Sequence, residues 1–148
     1  MVDTINMMPG ATLFPQTINI TGPIALGSSV VSALPCTSAL TGVPYHSAIA
    51  TQSGSGTVSC VIVGLGSLVG NASTTAHLTW DNGDTSTVAL ALAAAPGPVP
   101  VVTGTVTEGA LQGSAVTLTG VPTGLTGNCL LSPVTSLTIT GVMVFTRL

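Results

Sequence analysis

Residues 72–92 read Ala-Ser-Thr-Thr-Ala-His-Leu-Thr-Trp, then Asp81-Asn82-Gly83-Asp84, then Thr-Ser-Thr-Val-Ala-Leu-Ala-Leu: two alternating runs either side of an Asn-Gly pair. A period of two puts Ala76, Leu78 and Trp80 on one side of the first run and Thr75, His77 and Thr79 on the other. In the second run Val88, Leu90 and Leu92 share a face, opposite Thr87, Ala89 and Ala91. Asn-Gly between such runs predicts a β-hairpin with a two-residue type I′ turn, which needs positive φ at both central positions. A lone hairpin is marginal in water, so its apolar face must be covered by further strands.

Outward from the hairpin the same period recurs. Toward the N-terminus, Val58, Cys60 and Ile62 alternate with Thr57, Ser59 and Val61, and no Pro intervenes. Ser53-Gly54-Ser55-Gly56 reads as a turn before that run, with Tyr45 to Gln52 alternating weakly ahead of it. Ser29 to Leu34 is another run, stopped at Pro35, and Ile18, Ile20, Ile24 and Leu26 form one more around Gly22-Pro23, where a kink or bulge is expected. Toward the C-terminus, Ala93 to Pro100 is too rich in Pro to continue a strand and reads as a crossover between sheets. Val101 to Thr107 and Ser114 to Thr119 form a second hairpin around residues 108–113, and Val134 to Arg147 closes the chain. Eight or nine strands with no helical period predict an all-β fold, two antiparallel sheets packed as a β-sandwich of immunoglobulin-like or jelly-roll-like type. A small closed barrel is the alternative. Residues 1–15 follow neither period and read as an extended N-terminal arm, with the sandwich domain over 16–148. Leu13 and Phe14 in that arm are not expected to stay in water.

Composition limits the function. Charged residues make up 3% of the 148, against roughly a quarter in ordinary soluble proteins. The inventory is Asp3, Asp81, Asp84, Glu108 and Arg147, and apolar content of 45% argues against a disordered chain. Ser, Thr, Asn and backbone must therefore do the solubilising. With one Arg and no Lys there is nothing to neutralise phosphates, so neither nucleic acid nor an anionic membrane is an expected partner. No run of about 20 apolar residues offers a transmembrane helix. A membrane β-barrel needs aromatic girdles, which one Trp, one Tyr and two Phe do not supply. Asp3 and Pro9 interrupt any signal-peptide pattern at the start, which leaves either a removed signal or export by another route, as for a virion protein.

Few residues are available for chemistry. Cys36, Cys60 and Cys129 are an odd set without a Cys-x-x-Cys; one bridge and one free thiol are expected, and Cys36 with Cys60, 24 residues apart, is the favoured staple between neighbouring strands, whereas Cys60 with Cys129 would tie distant parts together. His46 and His77 are the imidazoles, and a catalytic triad would need one of them beside a nucleophile and an orienting acid. Asp81 and Asp84 flank the turn and, in a two-residue hairpin, would sit opposite each other. Two carboxylates and an amide are too few oxygens for calcium, so neither metal nor cofactor is expected. Gly64 to Gly70 follows a strand, but its spacing is Gly-x-Gly-x-x-x-Gly and no helix follows to receive a phosphate.

Three segments together resemble a group of small secreted β-rich proteins from actinobacteria: Ser55-Gly-Thr-Val-Ser-Cys60, Leu78-Thr-Trp-Asp-Asn-Gly-Asp-Thr-Ser-Thr87, and Val102-Thr-Gly-Thr-Val-Thr-Glu-Gly109, with a late Cys129. The likeness runs over about residues 53–145, implies an outer-surface setting and a sandwich, and transfers no active site. The absent signal peptide leaves room for a phage-borne relative. The expectation is thus a non-enzymatic structural or adhesive module, either envelope-associated and secreted or decorating a capsid, that meets itself or a protein partner through strand edges and its N-terminal arm. The alternative is a sugar- or small-ligand-binding module with Trp80, Tyr45 and His77 as contacts.

Overall fold

The computed structural model describes residues 1–27, 45–61, 67–94, 101–127, 129 and 131–146. They form eight strands and no helix: β1 (Val2–Ala11), β2 (Gln16–Gly27), β3 (Ser47–Val61), β4 (Ser67–Trp80), β5 (Thr85–Ala94), β6 (Val101–Gly109), β7 (Ala115–Thr126) and β8 (Val134–Thr146). Each pairs antiparallel with its neighbours in chain order, and β1 pairs with β8 to close the ring. The expected two-sheet sandwich is therefore replaced by one sheet curled on itself. The reason is topological. A sandwich needs the chain to cross between sheets, and here β5 and β6, on either side of the Pro-rich segment, are hydrogen-bonded neighbours from Ser86↔Gly109 to Ala93↔Val101.

The faces assigned to the central hairpin hold. Ala76, Leu78, Trp80, Val88 and Leu90 are buried inside, Leu92 is half-buried, and Thr75, His77 and Thr79 face solvent. Its turn differs from the expected one. Gly83 N–H donates to Trp80 O at 2.9 Å, Trp80 N–H donates to Asp84 O at 2.8 Å, and of the loop residues Gly83 is the one with positive φ, at 92°. This is a three-residue loop in which glycine takes the left-handed position, and it places Asp84 opposite Trp80 rather than opposite Asp81.

Ser53-Gly54-Ser55-Gly56 does not turn. It runs through the middle of β3, paired on both sides from Ser53↔Thr75 to Gly56↔Ala72 and from Ile18↔Gly56 to Thr21↔Ser53. A Cβ at Gly54 would lie 1.9 Å from Ser73 O, and one at Gly56 would lie 2.3 Å from Asn71 O. These glycines let the β4 backbone come close to β3, one of the uses of glycine inside a strand. Residues 1–15 are likewise not a free arm. Val2 to Ala11 is β1, in register with β2 at Val2↔Ala25 and with β8 at Val2↔Thr140, and it is the strand that completes the ring.

Inside, apolar side chains form two clusters. One holds Ile24, Leu26, Leu78, Trp80, Val88, Val106, Val116 and Leu118 among others; the second holds Ile5, Met7, Ile18, Ile20, Val58, Cys60, Val134 and Ile139 among others. Between them Asp3, Gln52 and Thr74 meet around a small cavity. The run expected at Ser29 to Leu34 lies outside the described residues.

Candidate functional site

The two ends of the barrel differ in chemistry. At one end lie the turn 81–84, the turn 110–114 and the approach to β3 at Tyr45 and His46. Here Tyr45 Oη donates to Asp84 Oδ2 at 2.8 Å, Asn82 Nδ2 donates to the same oxygen at 3.2 Å, and His46 N–H donates to Asp81 Oδ1 at 3.1 Å. That backbone donor holds the exposed Asp81 carboxyl below its ordinary range, and the Asp84 contact raises the Tyr45 phenol. Glu108, near the end of β6, is exposed at the same end.

The opposite end carries the turn 12–15 and the connection 127–133, and it exposes apolar side chains: Met8 at 76%, Phe14 at 79% and Leu131 at 87%, with Leu13 at 44%. The turn that presents Leu13 and Phe14 is fixed locally, with Phe14 N–H donating to Thr12 Oγ1 at 3.3 Å and Gln16 Nε2 donating to Gly10 O at 2.7 Å. Cys60 ties the two segments together. Its N–H donates to Thr12 O at 2.7 Å, and its sulfur is bonded to Cys129 across a Cα–Cα distance of 5.9 Å. The expected Cys36–Cys60 staple is thereby corrected to the longer tie; Cys36 itself lies outside the described residues. Segments 62–66 and 95–100, which join β3 to β4 and β5 to β6, also lie outside them, and their sequences contain no ionisable residue. Neither do residues 12–15 or 127–133 once Cys129 is bonded.

The residues proposed as ligand contacts do not converge. Trp80 is 4% exposed, inside the acidic end of the barrel, where its ring lies 4.8 Å from Tyr45 and 5.6 Å from Phe145. Its Nε1 donates to Ser86 Oγ at 2.8 Å, so both the apolar body and the polar tip of the indole are used by the core. It offers no face for a sugar to stack on. His77 stands on the outer wall with Nδ1 3.4 Å from Thr87 Oγ1, a hydroxyl beside an imidazole. No carboxylate is hydrogen-bonded to that ring in the structure's described residues, and His46 is held through its backbone.

The outer wall carries rows of small polar side chains. Thr21, Ser53 and Thr75 form one row across β2, β3 and β4, and Asn19, Ser55 and Ser73 form the next. On β2, β3 and β4 these rows are hydroxyls and amides while most aliphatic side chains face in; Ile49 on β3, Val121 on β7 and Val142 and Val144 on β8 are the large apolar side chains exposed along the wall among the described residues.

Asp3 was read from sequence as one of a scattered set of charges, and the structure puts it inside. It is 2% exposed, and Gln52 Nε2 donates to its Oδ1 at 2.5 Å while Thr74 Oγ1 donates to Gln52 Oε1 at 3.3 Å. Burial pushes the Asp3 carboxyl up to about 6 despite the Gln52 hydrogen bond, which acts the other way. The available signal was parity: Asp3, Ile5 and Met7 alternate, which puts Asp3 on the core face of β1.

No protein-family model, characterised protein or solved structure matches this chain.

Proposed function

We propose that this chain is a non-enzymatic structural module of an outer surface, extracellular or on a virion, and that it assembles with a second copy of itself end to end through its apolar rim. The single observation that carries the reading is the axial separation of chemistry. Met8, Leu13, Phe14 and Leu131 are exposed at one end, and Asp81, Asp84 and Glu108 stand at the other. Met8, Phe14 and Leu131 are the most exposed of the large apolar side chains, ahead of Ile49, Val121, Val142 and Val144 along the wall, and large exposed apolar groups gathered at one end mark an interaction site.

Charge selects the arrangement. Each copy carries a net charge of −3. A ten-residue strand tilted as in small barrels spans roughly 25 Å along the axis. Two copies meeting rim to rim therefore hold their acidic ends several Debye lengths apart, the length being about 8 Å at physiological salt. Any pairing through the acidic ends brings like charges together. A rim-to-rim contact also uses the same patch on both copies, the usual form of a two-fold dimer. The strand-edge route expected from a sandwich has little to work with, since closure of β1 on β8 removes the free edges that an open sheet would offer there.

The outer-surface setting is supported by the bridge between Cys60 and Cys129, of a kind that persists in oxidising compartments, and by a wall solubilised by hydroxyls. The likeness to secreted actinobacterial β-proteins points the same way. A dilution series followed by amide NMR tests the assembly. Concentration-dependent shifts confined to residues 8–14 and 127–133 are the expected result; shifts confined to 45–46, 81–84 and 108–114, or no shifts at millimolar concentration, contradict it.

A further inference from the structure

A buried carboxyl needs either a cation or a proton. The groups around Asp3 come from β1, β2, β3, β4, β5 and β6: Ile5, Ile20, Gln52, Thr74, Leu90 and Val102. None of them titrates or carries charge. The Met1 amino group, two residues away, donates instead to Gly141 O at 2.8 Å. Gln52 gives Asp3 one amide hydrogen and turns its own carbonyl oxygen to Thr74, so the chain of donors ends on the carboxyl with nothing positive behind it. An ionised carboxylate without a counter-charge is strongly disfavoured in such a place.

The cavity beside these groups has a volume of about 20 Å³. That exceeds the roughly 10–15 Å³ needed for one water and is too small for an organic ligand, and the carboxyl, the Gln52 amide and the Thr74 hydroxyl supply the polar partners such a water requires. The position of Asp3 in the topology gives the site its consequence. Its neighbours in register are Ile24 on β2 and Ile139 on β8, the two strands that β1 joins to complete the ring.

We propose that Asp3 is a proton-operated latch on the closing strand: in mild acid the folded barrel holds Asp3 protonated, accepting from Gln52 and donating to one cavity water, and loss of that proton toward neutrality loosens the closure of β1 between β2 and β8. The direction follows from linkage. The carboxyl ionises near its ordinary value in the unfolded chain and only at about 6 in the folded one. The folded state therefore binds more protons between those values, and the stability that the proton provides is whole below about pH 4 and lost as pH rises through about 6. Asp3 therefore makes the barrel firmer in mild acid than at neutrality, opposite to the usual effect of a salt-bridged Asp.

Urea unfolding of the full chain and of Asp3→Asn, each between about pH 4 and about pH 7, tests this. The expected result is a folding constant that falls about fiftyfold for the natural chain across that range and stays nearly level for Asp3→Asn, which keeps the shape and the acceptor without the charge. Every other titratable side chain is common to the two chains, so the comparison isolates Asp3. An equal fall in both chains overturns the proposal. Should Asp3→Asn not fold, the ¹³C resonance of the Asp3 carboxyl in the natural chain decides: a midpoint near 6 supports the latch, and one at the ordinary aspartate value overturns it.

Discussion

Trp80 and Ser86 lock the acidic end of the barrel from within: the indole Nε1 donates to Ser86 Oγ at 2.8 Å, and Ser86 Oγ donates onward to Ala110 O at 2.5 Å. The pair joins β4, β5 and the turn after β6 at one point. Ser86 is the hydroxyl that the buried indole reaches among the described residues, so Ser86→Ala leaves a donor in the core without its partner. The expected loss is about 1–3 kcal/mol in urea unfolding. Trp80→Phe removes the donor with part of the ring and should lose more through the space it leaves. Equal stability of Ser86→Ala and the natural chain would contradict this geometry.

Cys60 and Cys129 are 69 residues apart in sequence, so their bond closes a long loop in the unfolded chain. A non-reducing digest should yield the Cys60 and Cys129 peptides cross-linked, with the Cys36 peptide recovered as the alkylated one. Cys129→Ser should destabilise the barrel by about 2–5 kcal/mol, in line with loss of a bridge from a small domain. Recovery of a Cys36–Cys60 peptide would restore the pairing expected from sequence spacing.

Gly56 and Gly83 test whether glycine marks a close approach of strands or a turn. Gly56→Ala drives a methyl group to 2.5 Å from Ala72 Cα and 2.3 Å from Asn71 O, inside a paired sheet. It should leave the chain unfolded or lose more than about 3 kcal/mol, as overpacking against backbone does. Gly83→Ala has nothing within 4 Å and suffers only the strain of φ at 92°, about 1 kcal/mol. Thermal unfolding of the two variants should rank them in that order; the reverse order would mean that residues 53–56 turn the chain after all.

The central hairpin and its faces were legible because its strands have one wet and one dry side, and alternation reports that directly; the second half of β7, where Val121 to Gly124 are all exposed, has no such alternation. Leu78 and Trp80 inside with His77 and Thr79 outside needed nothing more. Alternation does not say what covers the dry side, however, since a sandwich and a barrel ask the same of every strand. The distinction rests on the long-range pairing of β1 with β8, and β1 was the strand that composition hid: Asp3 occupies a core position and Met8-Pro9 breaks its outer face. Gly54 and Gly56 misled in a second way, because glycine serves turns and close strand approaches alike. The apolar rim was half visible. Leu13 and Phe14 stood out as residues that should not remain in water, whereas their proximity to the 127–133 connection depends on Cys60 meeting Cys129.

Salt separates rim pairing from contact through the acidic ends. Association through Met8, Phe14 and Leu131 should hold or strengthen slightly as sodium chloride rises, since the acidic ends already lie beyond the screening length. Dimerisation that weakens on adding salt would point to charged groups at the contact and away from the rim.

Sedimentation velocity over a concentration series, run on the natural chain and on the double variant Leu13→Ser, Phe14→Ser, bears most directly on the proposed assembly. Both residues are already exposed, so the variant is expected to keep the stability of the natural chain within about 0.5 kcal/mol. The account predicts reversible dimers for the natural chain and monomers for the variant at the same concentrations. A natural chain that stays monomeric at every concentration, or a variant that dimerises equally well, would contradict it.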